Sequence, residues 1–463
     1  MKRIPIFSIL CAAVLDMVPA GSVFSQTIPA IPFTAGHQTA VGARALGLGG
    51  AFTAVSDDYS ALFYNPAGLG QVRSSQIHAS LVNIGITDRS TFLGREFSVS
   101  DQFTKLGSLG AVFSVPTLRG SLVFGIGYHR PIHFENTLEA EGDQEIGMAL
   151  DSAQTLPFPV TDSYNGFQEG HLSLTSIGCA VEMAAGLFAG ATMNFWGGSR
   201  DHTWIAKETG GIYTVRDLYE PGDEYEVMIS DLTLTNHYIE KYSGLNFTGS
   251  FLLRKGGFRF GAAVETPVTL TCKRDWDVLE TEEEYREYYE TNFPDDIPDT
   301  LVFETQEAGF VQSKIRRSWT FRAGLSFEAG PVLLTGDAVL KDYSQIRFLT
   351  DPAESIQHRL QANEAIRKNY RQATELRAGI QYRVPGLGLE LRTGYALLPS
   401  FLKQGAGSEN RKVLGFGAGI PFNEQLRMDA GLSQTEWDGI PDEIISRERI
   451  ESYSFIVSFQ YQI

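Results

Sequence analysis

The chain has 463 residues, a formal net charge of −17 and 43% hydrophobic residues. That acidic balance argues against a nucleic-acid partner, whose phosphates need a basic face. Three cysteines exclude a disulfide-stapled scaffold, and beyond residue 25 no apolar run approaches the roughly 18 residues of a membrane helix.

At the start, Lys2 and Arg3 precede the apolar run IPIFSILCAAVL, and Val23-Phe24-Ser25 precedes Gln26. A charged flank, an apolar stretch and small residues before a cleavage point predict a signal peptide over 1–25. Leu10 stands where a lipobox needs a small residue, so Cys11 is not expected to carry lipid.

The next region, 26–74, contains GARALGLGGAFTAVSDDYSALFYNPAGLG at 42–70. It is too apolar to stand in water and too rich in glycine to persist as an isolated helix. Packing inside a larger structure answers both objections. Gly42, Gly47, Gly49 and Gly50 permit close approach, and Arg44, Asp57 and Asp58 are expected to pair with charges on a surrounding wall. Asn65-Pro66 ends any helical run and turns the chain.

From residue 75 the pattern is strand-like. The first strand is read at SQIHASLVNIGI and the third at GSLVFGIGYHRPIHFE. Further on, Phe258, Phe260 and Val264 alternate with Arg259, Gly261 and Glu265. Trp319, Phe321 and Leu325 alternate with Thr320, Arg322 and Gly324. Leu389, Leu391 and Tyr395 alternate with Glu390, Arg392 and Gly394, and Met428 and Leu432 with Arg427 and Asp429. At the end, Tyr453, Phe455, Val457, Phe459 and Tyr461 share one face. Period-2 alternation with aromatics near the strand ends fits lipid outside and water inside.

Short links near 117–120, 184–186, 254–257, 328–331, 384–386 and 421–424 alternate with long polar segments. The latter lie near 87–108, 135–170, 199–240, 273–312, 344–368, 399–410 and 436–450. They are read as long outer loops, the acidic 277–299 among them as a solvated loop. This parity predicts an all-β fold: a 14-stranded antiparallel transmembrane β-barrel over 75–463, with both ends on the periplasmic side. The inward charges Arg259, Glu265, Arg322, Asp337, Arg377, Glu390, Arg392, Arg427 and Asp429 are read as wall-to-plug pairs.

The segment 42–70, including Asn65-Pro66-Ala67, resembles the hatch of the FadL/TodX family of outer-membrane transporters. The layout of signal peptide, hatch and fourteen strands extends that resemblance over the whole chain. It departs from the usual terminal phenylalanine by ending in Ile463. The resemblance implies an N-terminal hatch inside the lumen, passive uptake of long-chain fatty acids or aromatic hydrocarbons, and a place in the bacterial outer membrane. Its implied partners are a hydrophobic small molecule, outer-membrane lipids and the barrel-assembly machinery, with no cofactor. PorV-type relatives share the hatch signature and serve protein secretion, which is the alternative reading.

The hatch and gate positions are then Asn65, Pro66, Ala67, Gly49 and Gly50. Ile28, Ile31 and Phe33 are candidates for the ligand pocket, as against merely packing the plug. Arg130 is a candidate cation, as against a solvated arginine. The resemblance places a sideways exit at the third strand. Pro131 cannot donate to a ladder, so His129, Pro131 and His133 mark either that opening or the start of an outer loop. The scattered histidines lack zinc-site spacing, so no metal is expected. No Ser/His/acid set assembles from neighbouring strand positions, so no enzyme is expected.

Overall fold

A computed structural model describes residues 31–34, 36–149, 155–216, 226–286, 300–352, 356–404, 410–438 and 445–463. The expected signal peptide and the pocket candidate Ile28 lie outside these described residues.

The wall begins with β2 (Gln76–Phe92), β3 (Arg95–Val115), β4 (Leu122–His133) and β5 (Asn136–Ala149). It continues through β6 (Thr155–Ala184), β7 (Leu187–Arg216), β8 (Glu226–Lys255), β9 (Phe258–Glu265) and β10 (Thr269–Arg286). Then come β11 (Thr300–Arg316), β12 (Thr320–Ala329), β13 (Val332–Asp342), the short β14 (Arg347–Phe348) and β15 (Gln372–Arg383). The last are β16 (Glu390–Leu398), β17 (Arg411–Pro421), β18 (Leu426–Asp438) and β19 (Ile445–Gln462). A separate two-residue strand, β1 (His37–Gln38), precedes them all.

Three staves are interrupted: β4 runs on as β5, β9 as β10, and β11 as β12. Counted so, with the two-residue β14 set aside as a patch on β11, the wall is a closed antiparallel barrel of fourteen strands. Closure is made by β19 on β2, from Gln462↔Gln76 to Ile445↔Phe92. Outward side chains such as Leu81, Phe124, Phe247, Phe321, Leu391 and Phe455 are exposed and form the apolar belt.

One expectation is corrected. The long polar segments are not chiefly loops, since β6, β7 and β8 each run for 30 residues. The segment 87–108 is a hairpin that turns at Leu93 and Gly94, both at positive φ. The described part of the acidic 277–299 continues β10 against β11. Sequences such as DLTLTNHYIEKY keep the period-2 alternation of a strand. They read as polar because water, not lipid, bathes the outer face at that height. At about 3.3 Å per residue, β7 is near 100 Å long and the nine-residue β16 near 30 Å. The wall is therefore tall on one side and low on the other.

Residues 41–72 lie within the ring of strands and bond to it around its circumference. Ala43 N donates to Ser458 Oγ at 3.0 Å, and Phe52 N and Thr53 N donate to Asp337 Oδ2 at 2.9 and 2.8 Å. Ala67 N donates to Ser250 Oγ at 2.8 Å. Glycines on both partners allow this contact. A Cβ on Gly49 would stand 2.7 Å from Tyr395 N, and one on Gly394 would stand 2.1 Å from the carbonyl carbon of Leu48.

The expected wall-to-plug charge pairs are rearranged. Arg44 pairs with Asp57 and Asp58 of its own segment, at 2.7 and 2.9 Å. The wall charges mostly pair with each other: Arg392 with Asp429 at 2.8 Å, and Arg259 with Glu328 at 2.8 Å. What the wall offers the segment is bonding to its backbone, through Asp337 and through Arg377, which donates to Gly50 O at 3.3 Å. Backbone groups between the short helical turns of this segment need partners wherever they are buried, and these supply them.

Candidate functional site: an aromatic cavity beside an interrupted seam

A cavity of about 430 Å³ lies against the inner segment. Phe33, Phe63, Tyr64, Ile132, Trp196 and Trp437 line its apolar parts. Phe33 meets Trp196 edge to face at 5.9 Å, within a buried cluster that includes Ile31, Ile132 and Phe134. Ile31 itself belongs to that cluster and does not line the cavity.

Five cations also line it: Arg317, Arg322, Lys341, Arg377 and Arg411. Four of them are paired with carboxylates. Arg317 and Arg322 share Glu265, the latter at 3.0 Å, while Lys341 (2.5 Å) and Arg377 share Glu375. Arg411 differs: among the described residues no carboxylate pairs with it, and its guanidinium lies 4.5 Å from the centre of the Trp437 ring. His37 packs on the same ring at 5.2 Å. The cavity thus offers apolar walls and, among carboxylates and paired cations, one arginine that no carboxylate of the described residues holds.

The seam at the third stave adjoins this space. The β3–β4 ladder runs from Val115↔Leu122 to Ser108↔His129 and ends there. Beyond it, β4 shifts register against β6 between His129 and Ile132. Over that stretch the edge facing β3 is taken by β1 instead, with His37 opposite His133 and Gln38 opposite Ile132. Pro131 sits within the strand, lines the cavity, and accepts from Thr39 N at 3.0 Å.

The buried His129 holds its Nδ1 2.9 Å from the Tyr59 hydroxyl, which donates to Tyr128 O at 2.7 Å. His133 is fully buried, 3.8 Å from Glu135. Arg130 is half-buried, donates from Nε to the Tyr128 hydroxyl at 3.3 Å, and does not line the cavity. Gly49 lines it together with Gly50; Asn65, Pro66 and Ala67 lie deeper, with Asn65 fully buried. Arg411, Trp437, Trp196 and His37 were not singled out by their sequence. Only strand register sets Arg411 beside Trp437 across β17 and β18.

No family model and no curated protein matches the chain. Solved structures do. The Pseudomonas putida toluene transporter TodX aligns with TM-score 0.54 at 13% identity, over 92% of this chain and 99% of its own. A Pseudomonas aeruginosa FadL homologue aligns at 0.53 and 12%, over 92% and 98%. The Ralstonia pickettii toluene transporter TbuX aligns at 0.52 and 12%, over 92% and 98%. Near-complete coverage of both partners at such low identity means that the architecture is what is shared: this chain has the fold of the FadL/TodX-type barrels.

Proposed function

We propose that the chain is an outer-membrane channel for passive uptake of hydrophobic compounds. The region 26–74 serves as its hatch, and the seam between β3 and β4 as a sideways exit into the membrane. The fold likeness to the toluene transporters and the FadL homologue supports this reading, and so does the exposed apolar belt. The observation that carries it is the aromatic cavity against the interrupted seam, with Arg411 as its one cation that no carboxylate of the described residues pairs with.

That cation favours an acidic amphiphile, such as a long-chain fatty acid, over a neutral hydrocarbon. In this reading, ligand entering the cavity displaces Phe33 and the β1 residues that cover the seam. No covalent step is involved, and the role is transport, not catalysis.

The test is binding of a fluorescent long-chain fatty acid to the detergent-purified barrel, displaced by oleate or by toluene. We expect saturable binding that oleate displaces. Arg411→Gln is expected to weaken the fatty acid about 10- to 100-fold, the worth of a charge-assisted hydrogen bond of about 1.5–3 kcal/mol. It should leave displacement by toluene unchanged. No binding by a folded barrel would turn the assignment toward a PorV-type secretion component.

A further inference from the structure

Above the apolar belt the tall part of the wall is an open sheet, and one of its borders is unpaired among the described residues. β10 is held by β8 on one side and by β11 on the other, the latter from Thr269↔Arg316 to Tyr285↔Thr300. The far edge of β11 is occupied only at its foot. There Ile315 and Arg316 pair with Phe348 and Arg347 of β14, and Lys314 bonds with Leu349 N and Thr350 Oγ1, each at 2.7 Å. From 302 to 313, no strand among the described residues pairs with that edge.

Natural sheets blunt exposed edges with lysine, proline, bulges or short strands. Residues 302–313 contain neither lysine nor proline, and their register with β10 is unbroken. The edge also exposes large apolar side chains on both faces. Val302 (56% exposed) and Phe310 (53%) point one way, and Phe303 (47%) the other.

Charge decides what could lie there. Asp275 and Glu280 on β10, with Glu304 and Glu307 on β11, set carboxylates along the ribbon, while Asp277 is held by His237 of β8 at 3.0 Å. The same stretches, 275–283 and 302–312, contain no lysine, arginine or histidine. A second copy would bring its own carboxylates against these and be repelled. A cationic strand would not.

We propose that the free edge of β11 is a docking site for an extended polypeptide segment in which lysine or arginine alternates with apolar residues. The segment adds one strand to the ribbon. Its backbone fills the unpaired edge, its cations stand on the face of Glu307, and its apolar side chains cover Val302 and Phe310 on the other face. This inference does not depend on the transport reading.

The experiment uses the full-length barrel in detergent and a fluorescein-labelled decapeptide of alternating lysine and valine, with a glutamate–valine decapeptide as control. Anisotropy should show saturable binding of the cationic probe alone, weakening as salt rises from about 50 to about 300 mM. Hydrogen exchange should show alternate amides of 302–312 becoming protected. Glu280→Lys/Glu307→Lys should weaken binding at least tenfold while the barrel stays heat-modifiable, and Phe310→Ser should weaken it at unchanged charge. The proposal is overturned if a folded barrel binds neither probe, or if binding leaves exchange in 302–312 unaltered. It is overturned too if those amides become protected with rising protein concentration alone, since a second copy would then be the occupant.

Discussion

Asn65 is sealed inside the barrel, and both ends of its amide are used. Nδ2 donates to Thr53 O at 2.8 Å and to Phe251 O at 3.3 Å, while Oδ1 accepts from Ala67 N at 3.2 Å. Asn65→Ala leaves buried carbonyls without a donor, at about 1–3 kcal/mol each. The variant should still form a heat-modifiable barrel, but amides of 53–67 should exchange at least tenfold faster than in the parent. Unchanged exchange would show that the inner segment is held by apolar packing alone. The break at Asn65-Pro66 was legible in the sequence: the helix Ala61–Tyr64 ends there and a 3-10 turn over Pro66–Gln71 begins. The partners of Arg44 were not. Which acid an arginine meets depends on how the segment folds back, and that is invisible in spacing.

At the level of elements, β1 is a two-residue strand that takes over an edge which β3 has left. Gln38 and Ile132 are directly opposed, a placement compatible with a disulfide. Gln38→Cys/Ile132→Cys, with the native free thiol of Cys179 replaced by serine, should oxidise to a bridge that fixes β1 to β4. If this edge is the exit, the oxidised protein should bind fluorescent fatty acid but fail to pass it into the membrane, and reductant should restore transfer. Equal transfer in both states would place the exit elsewhere. The proline signal was readable in the sequence, because a residue without an N–H cannot sit in an uninterrupted ladder. That β1 would fill the gap was not, since His37 and Gln38 carry no strand pattern.

At the scale of the molecule, the count of fourteen staves was written in the outward apolar alternation, and the short turns in their glycines and prolines. The tall wall was not, because polar alternation between two aqueous faces looks like loop. This part carries its own pH dependence. Asp162 lies on the inner face of β6, where burial pushes its carboxyl up to about 6, although the Gln144 amide donates to it. A carboxyl raised on folding is protonated more readily in the folded chain, so its contribution is most favourable below about pH 4 and is lost as pH rises through 6. Asp162→Asn should therefore raise the thermal midpoint at pH 8 and leave it nearly unchanged at pH 4, as followed by circular dichroism. An equal gain at both values would assign the effect to packing.

The closing pair of strands has a consequence for the interior. The inner segment directly precedes β2, and the barrel is completed only when β19, at the opposite end of the chain, meets β2. Ser458, which receives the Ala43 amide, belongs to that last strand. The strand that completes the wall is thus also one that holds its contents, so the closing seam and the inner segment share a single element and loosening either one removes a partner from the other.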